Sequence, residues 1–573
     1  MATIQKRVSR GHTYWSIVES RRVNGKPRPI ILAYLGTAEA LLKKLKEGIP
    51  QKVKSYTHGL VVALLATAEQ LEIVQSINHH LPHRRLRDGF TVGGSVLLAA
   101  IGRVCQATSK RGWYKKWAKS TSLSYLLGRS LNKLDSQHFW DQMEGLPPEV
   151  IPLIEEDILK IVVEKYNVAL DTLLCDATNF FTYIASSNKR CQLARRGRNK
   201  QKRMDLRQFG LLLILSRQDQ LPLFHQVYQG NLADRTIFKQ SLRVMLERFK
   251  HLSGSLEDIT LVFDRGNNSK KTLEEVVEKI HFVGALSPHH HQDLIKEANK
   301  NLQDTLVNGK KLSCYRTRTN IWGLDLTCVV YISEKLRQGQ IRGLEQDINK
   351  LFGKLNKLKE KLKAPTKKGK KRTESVIEKK LHSLITSHVL RDLIRWELKP
   401  LEQDAFSLSF WVDVKELSRL HEKQFGRRIL MTNRHQWTTE EIILAYFGQS
   451  RIEGAFKRMK NPFQVAFRPQ YHWTDQKIKV HGFICVIAFL LVMVIYKKAR
   501  EKCGFTGSSL LLLEKLSSIR LATLIEAPSK KTRGRYKATY CLEEMDPDVK
   551  IIAEGLGLTK VQPKINIPFS VYN

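Results

Sequence analysis

From Leu173 to Leu286 the sequence reads first as strands and then as helix and strand in alternation. Leu173–Cys175 and Phe180–Ile184 have the apolar, β-forming texture of strand pieces around Asp176, and Phe209–Leu215 and Leu221–Tyr228 read as two further strands. The turn Gly230-Asn231 leads into a helix from about Asp234. The short apolar run Ile259–Phe263 ends in Asp264-Arg265-Gly266, a helix is predicted over Ser269–Ile280, and Phe282–Leu286 reads as a strand. Strands followed by alternating helix and strand imply a mixed α/β core.

The chain has 573 residues, long for one domain, and two to four are expected. Residues 1–54 contain an alternating run, Tyr14 to Leu35, broken at Val23-Asn24-Gly25-Lys26; Asn-Gly between such runs predicts a β-hairpin unit. Residues 55–165 carry apolar residues at three and four spacing, as in Leu60–Leu71 and Val92–Val104, and read as a helical region expected to bind DNA. Residues 166–287 and 437–499 are expected to be the two parts of the α/β core. Between them 288–436 reads as a β-rich insertion, with strand character at Cys314–Thr319, Leu324–Ile332, Phe406–Val414 and Arg428–Met431, a Lys-rich helix over roughly 334–363 and an exposed basic break at Ala364–Arg372. The second core part opens with a capping box, Thr438-Thr439-Glu440-Glu441, on a helix expected to run to about Met459. Residues 500–573 form a mixed C-terminal region.

Charge narrows the partner. Lys and Arg number 96 against 55 Asp and Glu, a formal net charge of +41, which points to a polyanion with DNA or RNA as the default. Nine of the nineteen residues from Lys189 to Arg207 are basic, among them Arg195, Arg196, Arg198, Lys200, Lys202 and Arg203. A second stretch, Ser109 to Trp117, mixes cations with Trp113, Tyr114 and Trp117, which suits phosphate contact and base stacking but equally suits an amphipathic helix with a basic outer face. Eight scattered cysteines include no C-x-x-C pair, so a zinc module and a disulfide framework are both unexpected and reduced thiols in a cytoplasmic compartment are the simple reading. Met1–Arg10 is basic without an apolar run behind it, so no signal peptide is expected. The apolar run Phe483–Tyr496 is shorter than the roughly 20 residues that span a bilayer, and is read as a buried helix.

Three acids stand out. Asp264 ends an apolar strand, where ligand sites of α/β folds collect, although a turn or a helix cap explains such an Asp as well. Asp176 lies inside the strand-like Leu173–Phe180, where an acid is costly to bury without a partner or a metal. Glu453 shares one helical stripe with Tyr446, Gln449, Phe456 and Lys460, at offsets of 0, 3, 7, 10 and 14 from Tyr446. Such a stripe suits a polar, anionic ligand, or a solvated amphipathic face.

With these residues the chain resembles the DDE transposases of bacterial insertion sequences, in the group whose last acid lies in a Tyr–Arg–Glu–Lys signature. Tyr446, Gln449, Glu453 and Lys460 stand at the signature's spacings, with Gln449 in place of Arg. Asp176-Ala177-Thr178-Asn179-Phe180, Arg196-Gly197, Gly230-Asn231 with Asp234, Asp264-Arg265-Gly266, Thr432-Asn433, Arg468-Pro469, His481 and the opening hairpin ending in Leu35-Gly36 agree in order, over most of the chain. The resemblance implies an RNase H-like core interrupted by a β-rich insertion, for which the 188 residues between Asp264 and Glu453 (265 to 452) leave room. It implies Asp176, Asp264 and Glu453 as catalytic ligands of Mg²⁺, or Mn²⁺, and Tyr446, Gln449 and Lys460 as contacts to phosphates flanking the cut. It further implies cut-and-paste transposition of double-stranded DNA carrying terminal inverted repeats, with a homodimer in the paired-end complex and no membrane partner. A metal-dependent nuclease on the same core, or a DNA-binding repressor derived from a transposase, is the alternative.

Overall fold

The structure, a computed structural model, describes residues 2–9, 11–23, 26–48, 52–81, 86–199, 201–267, 270–365, 372–461, 463–468, 470–526 and 537–569. The chain divides into two compact units, one of residues 1–146, 462–469 and 487–573, the other of 147–461 and 470–486.

The second unit is built on a nine-stranded mixed sheet. Strand Thr172–Thr182 is one continuous element where the sequence suggests two pieces. It pairs antiparallel with Arg207–Ser216, which pairs antiparallel with the edge strand Pro222–Gln229. On its other side it pairs in parallel with Thr260–Phe263, which is parallel to His281–Leu286. The helix Asp234–Ser253 connects the antiparallel part to Thr260–Phe263, and its Ile237, Phe238, Leu242, Met245 and Phe249 bury against the sheet in one cluster with Leu212, Ile214 and Phe263. Leu211 to Leu215 are wholly buried, which is why this strand reads as a continuous apolar run rather than an alternating one.

Two glycine positions allow close approach here. A Cβ on Gly197 would lie 2.4 Å from the Gly230 carbonyl oxygen, and one on Gly210 only 2.0 Å from the Tyr228 ring. Arg196-Gly197 and Gly230-Asn231, far apart in sequence, are therefore one packing contact.

Beyond His281–Leu286 the sheet continues. Arg427–Thr432 pairs antiparallel with it, and Leu324–Ile332, Lys310–Ile321 and Gln303–Val307 follow outward. These strands belong to the segment read as an insertion, yet they extend the core sheet by main-chain pairing. What stands apart is 334–423, with its own apolar cluster: Leu344, Leu351, Leu355, Leu358 and Leu362 of helix Glu334–Leu362 pack with Ile377, Leu381, Leu393 and Leu408. The β content of that part is the hairpin Ile394–Pro400 with Phe406–Val412. Of the basic break, residues 366–371 lie outside the described residues.

The first unit opens with three strands rather than one hairpin, because the polar, basic run Ala2–Ser9 pairs with His12–Val23. His12–Val23 and Lys26–Thr37 pair as the hairpin signal predicts, while Asn24 and Gly25 lie outside the described residues. A second three-stranded sheet joins Lys52–Thr57 to Arg520–Glu526 and Lys537–Leu542, so the C-terminal region is part of this unit. Helices Gly59–Gln70 and Val92–Cys105 are almost wholly buried. The helix Asp475–Cys503 contains the run Phe483–Tyr496; by length and hydropathy it passes for a membrane span, but 94% of its apolar window is buried, as the sequence reading expects.

Candidate active site

Asp176 and Asp264 arrive at the site by strand register. Cys175 pairs with Phe263 across the two parallel strands, so the next residue on each is an aspartate. Asp176 is half-buried and its Oδ1 accepts the Ala177 N–H at 2.8 Å. Asp264 is exposed at the strand end, where the chain turns through Arg265–Asn267. Its Oδ1 accepts the Arg265 N–H at 2.8 Å and the Tyr446 hydroxyl at 2.9 Å; neither bond uses Oδ2.

The stripe predicted on one helix lies on two. Thr439–Phe447 and Gln449–Lys460 meet at Gly448, and the first is capped by the Thr438–Glu441 box. A Cβ on Gly448 would lie 2.8 Å from Leu174 Cδ2 and 2.9 Å from the Ala445 carbonyl oxygen, so the joint sits tightly on the strand that carries Asp176.

Each signature residue has a definite place. Tyr446 is 5% exposed. Burial, then the Asp264 carboxylate beside it, pushes its phenol well above the usual range, so it stays protonated and donates. The Gln449 side chain is 9% exposed and its amide donates to the Val262 carbonyl, two residues before Asp264, at 2.7 Å and more weakly to that of Cys175, the residue before Asp176, at 3.4 Å. Gln449 therefore clamps the end of strand Thr260–Phe263 to the interior of strand Thr172–Thr182 beside the two aspartates, and its amide donates to main chain. The exposed Lys460 donates to the Thr178 hydroxyl at 2.6 Å, with its ammonium 5.4 Å from the Phe180 ring centroid. Phe456, between them, is buried. Glu453 is exposed on the same helix.

The three acids thus stand on adjoining elements. Among the described residues, however, no group of three or more His, Cys, Asp or Glu side chains is gathered closely enough to hold a metal ion. Like charges favour rotamers that spread carboxylates apart. The donor chemistry, oxygen only, suits Mg²⁺, which needs one or two protein carboxylates when waters and phosphates complete its shell. The Asp176–Asp264 pair fits that need; among the described residues there is no preassembled three-carboxylate cage.

The basic stretch follows Asp176 in the loop between Thr182 and Arg207. The Asp475 carboxylate holds this loop by accepting the Gln192 and Leu193 N–H groups at 2.9 and 2.8 Å. Arg195, Arg196, Arg198, Lys202 and Arg203 are exposed, and Lys200 lies outside the described residues. Arg196 donates to Ser186 Oγ at 3.1 Å. Arg203 makes a two-pronged pair with Asp205 at 2.8 and 2.7 Å, a hydrogen-bonded partnership that brings the Asp205 carboxyl down to about 2.

In the first unit Trp113 and Trp117 are core residues, not stacking platforms. Tyr114 and Lys119 instead line a groove of about 650 Å³ with Lys54, Tyr56, Tyr125 and Tyr540. Sequence reasoning also missed Arg428. The second Arg of Arg427-Arg428 precedes the apolar Ile429–Met431, and strand alternation turns the two to opposite faces. Its guanidinium reaches the Tyr446 hydroxyl at 3.4 Å.

No protein-family model matches the chain, and no curated protein matches it. Among solved structures it is similar to one described as a cryo-EM structure of a piggyBac transposase synaptic complex with hairpin DNA, at a TM-score of 0.37 and 11% identity over 80% of this chain and 79% of that one, a likeness too shallow to carry an argument about function.

Proposed function

We propose that this chain is a DNA transposase of the DDE kind on an RNase H-like core, cutting and rejoining double-stranded DNA with Asp176, Asp264 and Glu453 as its acids. One observation carries the reading: three of the four residues at the signature's spacing hydrogen-bond to the two strands that bear the aspartates or to the aspartate itself. Tyr446 donates to Asp264, Gln449 to the main chain just before each aspartate, and Lys460 to Thr178 two residues beyond Asp176. The placement of the first Asp on an interior strand, the second at the end of its parallel neighbour and the Glu on a following helix accords with such a core. The net charge of +41 and the exposed arginines of the loop after Asp176 accord with DNA as the partner.

Mg²⁺, when bound, supplies activation of a water and stabilisation of the leaving oxygen. The chain's own residues do the rest. Asp176 and Asp264 offer carboxylate oxygens at neighbouring register positions. The Tyr446 hydroxyl holds Asp264 in one orientation by donating to Oδ1. Lys460 places an ammonium beside Thr178, where a strand phosphate passing Asp176 meets it. The same reading includes a homodimer pairing two element ends, Mn²⁺ as a substitute ion and action in the cytoplasm.

Asp176→Asn is expected to abolish Mg²⁺-dependent cutting of labelled element ends while DNA binding persists. Undiminished cutting would remove Asp176 from the site. The same assay with a target plasmid separates a transposase, which yields joined product, from a nuclease, which only cuts, and from a repressor, which does neither.

A further inference from the structure

A cavity of about 240 Å³ opens beside Asp264 and is also lined by Arg265, Gln340, Arg427, Arg428 and Tyr446. Its three arginines are not equivalent. Arg427 is 6% exposed, and its guanidinium is spent inside the protein on Asn299 Oδ1 (2.8 Å) and on the Phe425 (2.8 Å) and Glu422 carbonyls. Arg265 is exposed at the turn after Asp264. Arg428 is half-buried, lies 5.8 Å from the Tyr446 ring centroid and makes one long hydrogen bond, 3.4 Å, to the Tyr446 hydroxyl. Among the described residues the Tyr446 hydroxyl is its hydrogen-bond partner, and its charge also acts on the Tyr331 phenol. A guanidinium has five N–H donors in a planar fork, so most of this one's are not spent on protein groups.

No carboxylate takes them up. Asp264 lines the same cavity, yet its Oδ1 is engaged by Tyr446 and the Arg265 N–H, and no ion pair joins it to Arg428 among the described residues. The fold therefore holds a cation and an anion apart across one tyrosine: Arg428 donates to the hydroxyl of Tyr446, which donates to Asp264. A ligand that fits between them needs acceptor oxygens for the fork. Planar, two-pronged recognition of that kind suits phosphate. The residue whose place in the signature calls for a guanidinium, Gln449, faces main chain instead.

We infer that the cavity beside Asp264 is a phosphodiester-binding subsite and that Arg428, held against Tyr446, is the side chain that grips the phosphate. The inference rests on the proposed function, since it takes the phosphate to belong to a DNA strand lying at Asp264. Arg428 is a binding residue here, with its stacking on Tyr446 setting the fork's plane.

The test compares the full chain with its Arg428→Ala, Arg428→Lys and Gln449→Leu variants on a fluorescein-labelled 30-base-pair duplex of mixed sequence, with thermal melting as the check on folding. Affinity is measured against salt concentration. Loss of one phosphate contact lowers the slope of log affinity against log salt by about one. Arg428→Ala is expected to show that fall and about tenfold weaker binding with an unchanged melting temperature. Arg428→Lys is expected to recover the slope but not the full affinity, because a point charge replaces a fork. Gln449→Leu is expected to melt earlier with the wild-type slope. A wild-type slope in Arg428→Ala, or the lowered slope in Gln449→Leu instead, overturns the assignment while Mg²⁺-dependent cutting by the wild type leaves the proposed function standing. A wild-type chain that neither binds nor cuts duplex overturns both.

Discussion

At the scale of single residues, the site is decided by what each polar group spends its hydrogen bonds on. Gln449→Leu keeps the bulk and removes the donor shared by the Val262 and Cys175 carbonyls. A loss of about 1–3 kcal/mol is expected, read by thermal or urea unfolding; no loss would mean that the clamp is idle. A second buried network makes a prediction about acid. Glu155, 7% exposed, pairs with His225 and with Arg248 at 2.7 Å. Burial pushes its carboxyl up, but the His225 and Arg248 side chains beside it outweigh that and bring it below the ordinary 4.5. Because the folded value lies below the unfolded one, the stabilisation is complete above about 4.5 and is lost as pH falls through the depressed value. Acid unfolding of the wild type should therefore steepen below that pH, and Glu155→Gln should flatten it; identical pH profiles would contradict the pairing. Tyr446, Glu453 and Lys460 were legible as one stripe from spacing, and Asp176 and Asp264 joined them only through the family resemblance. Gln449's role and Arg428 were not, because spacing states which residues share a face and not which neighbour takes their hydrogen bonds.

At the scale of elements, strands that report burial by composition were easily read. Phe209–Leu215 is apolar throughout, Leu324–Ile332 is apolar but for Asp325 and Thr327, and both lie in the sheet. The strand Ala2–Ser9 was invisible because all eight of its residues are exposed, so no alternation marks it. The attachment of residues 303–332 to the core sheet was invisible for a different reason: edge-to-edge pairing is made by main chain and leaves little trace in side chains. The joint at Gly448 was hidden too, since its backbone is helical and only the approach of Leu174 distinguishes it. Gly448→Val is expected to push helix Gln449–Lys460 off the strand Thr172–Thr182, weakening cutting by at least about tenfold, the equivalent of roughly 1.4 kcal/mol in the barrier. The effect should exceed that of Gly454→Val, whose Cβ meets nothing within 4 Å. Equal activities in the two variants would show that the close fit at Gly448 has no bearing on catalysis.

At the scale of the whole molecule, neither unit is a continuous stretch of sequence. The expectation of a separate region over 500–573 gives way to a sheet in which Arg520–Glu526 is the middle strand, between Lys52–Thr57 and Lys537–Leu542. Phe569 packs against Phe90 and its carbonyl accepts the Thr91 N–H at 2.9 Å, so the last described residue is bound at the start of helix Val92–Cys105. A chain ending at residue 500 is therefore expected to lose the cooperative unfolding of residues 1–146 and to become sensitive to protease there, with the nine-stranded sheet protected. Protection of both would show that the C-terminal strands are dispensable.

That interleaving orders events during synthesis. The unit carrying the acids has all its described parts once residue 486 has left the ribosome, whereas the other gains its closing strands at residue 542 and the contact of Phe569 with Thr91 only at residue 569. At about 5–20 residues per second the 83 residues from 487 to 569 take roughly 4–17 s. For that interval a nascent chain already carries all three acids while Lys52–Thr57, basic and bound for a sheet, waits for a partner strand 468 residues downstream in the sequence (Lys52 to Arg520). Such a chain is tethered by its own message, close to the nucleic acid from which it is being made, before it is whole.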